Sequence, residues 1–534
     1  LTRKGKTCRY RIRAGTEGSI LTKQTQDGYD TNPHDITIEY NEDPPGSGKS
    51  EYLKRIVVEE PRRYLLAVPT KKLLAEHATG EDGLRKRILA EALPPSVEVI
   101  TISTATHARS VRRPVAEAAD LYRDRQHVVV ICTHAALMTT DLSRYTGWTL
   151  LIDEVPSIVA CDTWRTGGSR AHLEANYVLQ RESKNGAWSR VAVRADAPST
   201  QMISRDDLVG DAVAFHRCAK SRSGVYVNLH AWEEIECGSE WCWWSIWEVG
   251  ELASFDRVLL VGNAFSHSIT RRLMAERPGE GYRALFQPLA LPWTRRRHAA
   301  RRVVIRYFTE NPGSTTFWTN HSEGQSCIGA VSRWIADNTP AAQHMFACNK
   351  ETEAAVTQAR VMGLRLTPCV AGSNGYDDFE HATILFSAKI SPQERKALTM
   401  FGIDEEEVRR SREFEAVLQF LFRSAIRRPE FYGTVYWNVY DGEQARFLAS
   451  FIGEHGLAEV ELLYVDVGIG NIVRPQRYAK VSDDVVQARH ERRRQSNSER
   501  VRAHRERKQA ERKAEGTYRG RGRPRKADAG EARP

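Results

Sequence analysis

Residues 41–50, NEDPPGSGKS, set Gly46, Ser47, Gly48, Lys49 and Ser50 between an apolar stretch, ITIEY (36–40), and a helix-forming one, EYLKRIVVEE (51–60). That order, strand then glycine-rich turn then helix, suits a phosphate-binding loop. Glycines let backbone N–H groups converge on phosphate oxygens, and the helix N-terminus adds positive potential. Lys49 is then placed to reach the β- and γ-phosphates of a nucleoside triphosphate, and the Ser50 hydroxyl to bind Mg²⁺. The strict pattern has glycine at position 43, where this chain carries Asp43.

Phosphate transfer to water also needs carboxylates opposite such a loop. WTLLIDEVPSI (148–158) supplies Asp153 and Glu154 where an apolar strand ends. One acid holds Mg²⁺ through its water shell, the role expected of Asp153. The other orients or deprotonates the attacking water, the role expected of Glu154. Carboxyl ends of strands are where ligands bind in open α/β sheets.

With both motifs in place, the chain resembles the superfamily 2 helicases, DEAD/DEAH-like translocases built from two RecA-like lobes, in a phage- or plasmid-type branch. PPGSGKS looks like their motif I, and LLIDEVP like motif II with Val155-Pro156 in place of the usual Ala-Asp or Ala-His. LLAVPTKKLLAEHA (65–78) is similar to motif Ia, which implies nucleic-acid backbone contacts at Pro69 and Thr70. VVVICTHAALM (128–138) is similar to the next such element, with Thr133 and His134 in backbone-contacting places. VGNAFSHS (261–268) matches motif III loosely, through Asn263, Ala264 and Ser266. FACNKETEAA (346–355) looks like motif IV, and AGSNGYDDF (371–379) like motif V, with Gly372, Asn374 and Asp377. LQFLFRSAIRR (418–428) resembles motif VI: Gln419 and Arg423 fit, Phe422 replaces a glycine, and the next arginine falls one place late, at Arg427. The resemblance spans roughly 31–455 and implies ATP and Mg²⁺ as cofactors. It casts Arg427 as an arginine finger and Arg423 as its companion, one helical turn apart and so expected on one face. RGRGRPRK (519–526) resembles an AT-hook, with Arg521, Arg523 and Arg525 expected in a narrow minor groove.

Positioning these residues calls for an α/β chain of two parallel-sheet lobes. Strand candidates lie at 36–40, 64–69, 97–102, 128–133, 149–154 and 257–262, and most are apolar on both faces, as strands covered by helices on each side should be. The expected organisation is a basic segment (1–30), lobe one (31–276), a linker (277–302), lobe two (303–455), an extension (456–482) and a basic tail (483–534). Seven of the twelve tryptophans fall in an expected insertion at 160–250.

With 41% hydrophobic and 27% charged residues over 534, the chain fits neither a disordered nor a membrane protein. No run approaches the ~18–20 apolar residues of a membrane span. Nine scattered cysteines argue for a reducing compartment, and the expected location is the cytoplasm of a bacterial or phage-infected cell. The net charge of +10 is uneven. Residues 487–526 hold sixteen Lys/Arg and five Glu, whereas residues 24–486 carry −6. A motor body with a basic tail points to nucleic acid as partner, DNA favoured, single-stranded in the motor cleft with the tail on duplex. The reading is an ATP-dependent translocase or DNA helicase. The alternatives are a terminase-like packaging ATPase and a non-enzymatic phosphate-loop switch in a DNA-binding replication protein.

Overall fold

The computed structural model describes residues 33–91, 97–107, 110–164, 170–180, 188–206, 209–235, 241–293, 301–368, 375–390, 394–395, 398, 401–428 and 430–473. Those through Ile472 form one compact unit. In chain order its first strands are β1 (His34–Asn41), β2 (Arg63–Val68), β3 (Glu98–Thr101), β4 (Val128–Thr133) and β5 (Thr149–Asp153). Helix α1 (Lys49–Glu59) follows β1, and α2 (Lys71–Thr79) follows β2. Next come five strands of a separate sheet, β6 (Val159–Trp164), β7 (Tyr177–Gln180), β8 (Trp188–Val193), β9 (Val225–Asn228) and β10 (Trp241–Ile246). The chain then returns to the first sheet through β11 (Arg257–Val261), helix α3 (Ile269–Glu276) and β12 (Tyr282–Pro288).

The first sheet has seven strands in the order β12-β1-β11-β5-β2-β4-β3, all parallel. Strand β11 therefore lies between the phosphate-loop strand and the acid strand. Side chains two apart point to one face, and the sequence uses both faces. Leu65 and Ala67 of β2 enter one core while Tyr64, Leu66 and Val68 enter the other, where α1 and α2 pack.

The second sheet of this kind uses β13 (Arg302–Tyr307), β14 (His344–Cys348), β15 (Leu364–Arg365), β16 (His381–Leu385), β17 (Thr434–Val439) and β18 (Glu459–Tyr464), again all parallel, in the order β15-β14-β16-β17-β13-β18. Helix α4 (Glu415–Leu421) precedes β17 and α5 (Gly442–Glu454) follows it. These are two RecA-like parallel-sheet lobes.

Inserted in lobe one between β5 and β11, strands β6 to β10 make an antiparallel sheet, order β6-β10-β9-β8-β7. Its tryptophans are packing residues. Trp241, Trp243 and Trp244 are at most 2% exposed, so none offers a free face to a nucleic-acid base. Trp241 and Trp243 fill the insertion's own core, whereas Trp244 and Trp247 join the core of lobe one.

Two stretches differ from expectation. Residues 277–302 are not simply a linker, because β12 lies within them and pairs with β1 along its length (Ile38 opposite Phe286). Residues 456–482 contain β18, the edge strand beside β13. Both edges carry alternating, half-polar side chains, and that weak apolar signal hides a strand in sequence. A segment of lobe two also docks on lobe one. Ile390, Leu398, Phe401, Ile403 and Val408 are buried in lobe one's core, with the Phe401 ring edge-on to Trp244 at 4.7 Å. Arg272 of α3 pairs with Glu407 at 2.5 Å and donates to the Phe401 carbonyl. This docking brings the two lobes together on one side of a cleft.

Candidate nucleotide site between the lobes

The glycine-rich turn between β1 and α1 has the backbone its residues suggest. Gly46 (φ 84°) and Gly48 (φ 91°) lie in the left-handed region that side-chain-bearing residues avoid. Asp43, standing where the strict pattern has glycine, is held by Asn41. The Asn41 amide donates to Asp43 Oδ2 (3.1 Å) and to the Leu289 carbonyl (2.9 Å), while the Asp43 N–H donates to Asn41 Oδ1 (3.2 Å). Lys49 is buried, and its ammonium donates to the carbonyls of Asp43 and Pro44. Burial pushes the Lys49 pKa down, opposed by Glu154, Glu415, Asp153 and Asp43. The Ser47 hydroxyl is buried without a partner. An orphaned hydroxyl and an ammonium turned back on its own loop are groups that fit an arriving phosphate.

Over this turn sits Trp293. Its indole N–H donates to the Ser47 carbonyl (2.9 Å), its ring meets Tyr52 edge-on, and a Cβ on Gly48 would stand 3.0 Å from it. Glycine at 48 is therefore required twice, by φ and by space.

Asp153 ends β5 and is 2% exposed. Both its oxygens lie 3.0 Å from Ser50 Oγ, and His77 Nε2 of α2 lies 2.8 Å from Oδ2. Burial alone would raise this carboxyl's pKa. The His77 bond and charge, the Ser50 bond and Lys49 outweigh it and hold the pKa below the usual value. A hydroxyl facing an ionised carboxylate is a donor set that fits Mg²⁺, a hard cation that takes oxygen ligands. Glu154 takes a left-handed conformation (φ 69°), fixed by its N–H bond to the Val261 carbonyl at 2.7 Å. Burial, then the charge of Asp153, pushes its pKa up, toward the range where a carboxylate accepts a proton more readily.

Lobe two closes the site. Gln419 of α4 donates to Glu154 Oε2 at 3.1 Å. Arg423 and Arg427 both act electrostatically on Glu154 and Glu76. They do not share a helical turn as the spacing suggests. Helix α4 stops at Leu421, and Ala425–Arg427 form a separate 3₁₀ turn. The chain bends between them, yet both guanidiniums still face lobe one. Burial, then the neighbouring Arg427, lowers the Arg423 pKa to about 10, and burial lowers that of Arg427.

The expected nucleic-acid contacts fare unevenly. Pro69 and Thr70 are partly exposed where β2 ends, and Thr70 caps α2 by accepting from the Leu73 N–H. Thr133 caps the short helix His134–Leu137 in the same way. His134 is not a surface contact. It is 7% exposed, its Nε2 lies 3.0 Å from the Asp153 carbonyl, and burial pushes its pKa down to about 4, so it supports the acid strand as a neutral ring. Asn374 and Arg521, Arg523 and Arg525 lie outside the described residues. After β16, the Ser387 N–H donates to Asn349 Oδ1 at 2.8 Å and the Asn349 amide donates to the Ser387 carbonyl at 3.0 Å.

Four residues of this site escaped the sequence reading: Asn41, His77, Trp293 and Glu415. Only Glu415 left a signal, standing one helical turn before Gln419.

No protein-family model matches this chain, and no curated protein matches it. Solved structures similar to it include Dbp5 of S. cerevisiae bound to RNA and ADP BeF3, at 9% identity and a TM-score of 0.33, covering 83% of this chain and 87% of that one. A DEAD box protein from Methanococcus jannaschii is similar at 9% identity and a TM-score of 0.25, over 80% of this chain and 88% of its own. The Mycobacterium smegmatis helicase Lhr, bound to ssDNA and AMP-PNP, is similar at 12% identity and a TM-score of 0.28, over 80% of this chain and 47% of its own.

Proposed function

We propose that this chain is an ATP-dependent translocase on nucleic acid, with DNA as the favoured track. The observation that carries the reading is the meeting of two lobes on one carboxylate: Glu154 of lobe one is bonded to Gln419 of lobe two, beside Lys49, Arg423 and Arg427. Gly46, Ser47, Gly48 and Lys49 would hold the phosphates, and Ser50 with Asp153 would hold Mg²⁺. Bound Mg²⁺ neutralises charge that develops on the transferred phosphoryl group. Glu154 accepts the proton of the attacking water. Arg427, with Arg423 beside it, offsets charge at the γ-phosphate. A catalytic group supplied from the opposite lobe makes hydrolysis depend on lobe closure, and closure is what moves a two-lobed body along a strand. Pro69 and Thr70 would meet the backbone, and hydroxyls and helix N-termini position phosphates without reading bases.

ATP hydrolysis by the purified chain with and without single-stranded DNA tests this reading. Stimulation by single-stranded DNA is expected. No stimulation by DNA or RNA would favour a conformational switch instead. Among the described residues, no helix is long and apolar enough to cross a membrane.

A further inference from the structure

Glu415 is a partly buried carboxylate contributed by lobe two, and the catalytic roles assigned to Glu154, Arg423 and Arg427 do not use it. Both of its oxygens are engaged. Oε2 accepts from the Asn263 amide of lobe one at 2.7 Å, and Oε1 accepts from Gln419 Nε2 at 3.0 Å. The same Gln419 nitrogen donates to Glu154 Oε2 at 3.1 Å. A glutamine NH₂ has two hydrogens, and here one serves each carboxylate. In its ionised form Glu415 offers only acceptors, and it then settles which end of the Gln419 amide faces Glu154. Without it the amide is free to turn its carbonyl toward an acid that needs a donor.

The surroundings single out this contact. Glu415 and Gln419 are four apart on α4 and so share a face. The helix enters through a π-turn at Arg410–Phe414, a register change that rotates the side chains of α4 about its axis. Opposite, Asn263 stands beside Ala264, a non-glycine residue at φ 51°. Strained backbone on the lobe-one side and a π-turn on the lobe-two side thus meet at one acid–amide bond. Glu154, Asn263, Glu415 and Gln419 also line one interlobe cavity of about 880 Å³.

We infer that Glu415 is a positioning residue: by bridging Asn263 of lobe one and Gln419 of lobe two, it aims the Gln419 amide at Glu154 and so makes the orientation of the general base conditional on lobe docking. This inference rests on the hydrolytic reading of the site. The ligand whose reaction it governs is a nucleoside triphosphate.

The test compares Glu415→Ala, Glu415→Gln and Asn263→Ala in the full chain, with ATP hydrolysis and binding of a fluorescent ATP analogue measured on each. In Glu415→Ala, kcat is expected to fall about tenfold or more, the scale of effect of a misdirected catalytic group, with analogue affinity within about threefold of wild type. Glu415→Gln keeps an acceptor for Gln419 and can donate to Asn263 once that amide turns, so it should recover to within about threefold of wild type. Asn263→Ala removes the lobe-one end of the bridge without touching α4, and should lower kcat with affinity kept. If Glu415→Ala fails to fold, Asn263→Ala and Glu415→Gln decide the matter. Wild-type kcat in Asn263→Ala, or Glu415→Gln as damaged as Glu415→Ala, overturns the inference. A wild-type chain that neither binds nor hydrolyses ATP overturns the hydrolytic reading instead.

Discussion

Arg427 of lobe two lies against Gly46 of lobe one, close enough that a Cβ on Gly46 would stand 3.8 Å from Arg427 Cγ. The guanidinium is thus carried to the lip of the phosphate loop by a 3₁₀ turn from the opposite lobe. In Arg427→Ala the nucleotide keeps its loop but loses the charge that stabilises the transition state. kcat should fall about 10³-fold, as for an arginine finger. Arg427→Lys retains charge without the planar fork and should recover only part of it. Steady-state ATP hydrolysis measures both, and a change in KM alone would move Arg427 to ground-state binding.

Glu154 and Asp153 are adjacent, yet their environments push their pKa values in opposite directions. Asp153 is kept ionised for a cation, whereas Glu154 is made a better proton acceptor. Glu154→Gln should therefore abolish turnover while leaving binding of a fluorescent ATP analogue intact. Unchanged turnover would remove Glu154 from the role of general base.

His77 bonds Asp153 at 2.8 Å with both side chains buried, fixing the carboxylate that faces Ser50. His77→Ala leaves a buried acceptor short of a partner, at a cost of about 1–3 kcal/mol in urea unfolding. It also frees Asp153 to rotate. The Mg²⁺ concentration giving half-maximal hydrolysis should rise about tenfold, as when an outer partner of a metal ligand is lost. An unchanged Mg²⁺ dependence would leave His77 with a packing role only.

The parts of this site that read directly from sequence are those whose chemistry demands contiguous residues. A phosphate loop must sit between a strand and a helix, and an acid pair must end a strand, so 46–50 and 153–154 announce themselves. The bridge from Asn263 to Glu415 does not, because 152 positions separate the partners and each residue type is ordinary in its own segment. The break after Leu421 was equally hidden: LQFLFRSAIRR is a good helical sequence, yet the helix ends and Phe422, Ala425 and Ile426 all pack into lobe two's core. His134 is expected at the nucleic-acid backbone only through the resemblance of VVVICTHAALM to a helicase element, whereas here the short helix that Thr133 caps turns it inward under Asp153.

Glu415 also predicts a pH dependence of stability. Burial, then the charge of Glu154, raises its pKa from 4.5 to about 7 in the folded chain. Between those values the folded state holds a proton that the unfolded state has released. Stability due to this group is therefore full below pH 4.5, declines as pH rises, and is lost above pH 7. The slope is at most about 1.4 kcal/mol per pH unit. His216 and His381, whose pKa values burial lowers to about 4, tilt the other way, losing stability as pH falls from 6.5. The difference between wild type and Glu415→Gln isolates the carboxyl: the variant should be the more stable at pH 8, and the gap should close toward pH 5. A gap independent of pH would mean that Glu415 is ionised throughout.

Residues 487–526 carry sixteen Lys/Arg against five Glu, while residues 24–486 carry −6. An acidic body gains little from a polyanion at long range, so most of the counterion release on binding must come from the ends of the chain. Each phosphate neutralised contributes about −0.9 to the slope of log K against log salt on duplex DNA. Deleting 487–534 should weaken duplex binding and flatten that slope by several units, while ATP hydrolysis at saturating single-stranded DNA persists, because Lys49, Asp153, Glu154 and Arg427 are untouched. Equal slopes with and without the tail would mean that the acidic body reaches the backbone through local contacts, and would turn attention to Pro69 and Thr70. Replacing Arg521, Arg523 and Arg525 with lysine keeps the charge and removes the guanidinium. If those arginines sit in a narrow minor groove, the salt slope is preserved while the preference for A·T-rich duplex over G·C-rich duplex is lost.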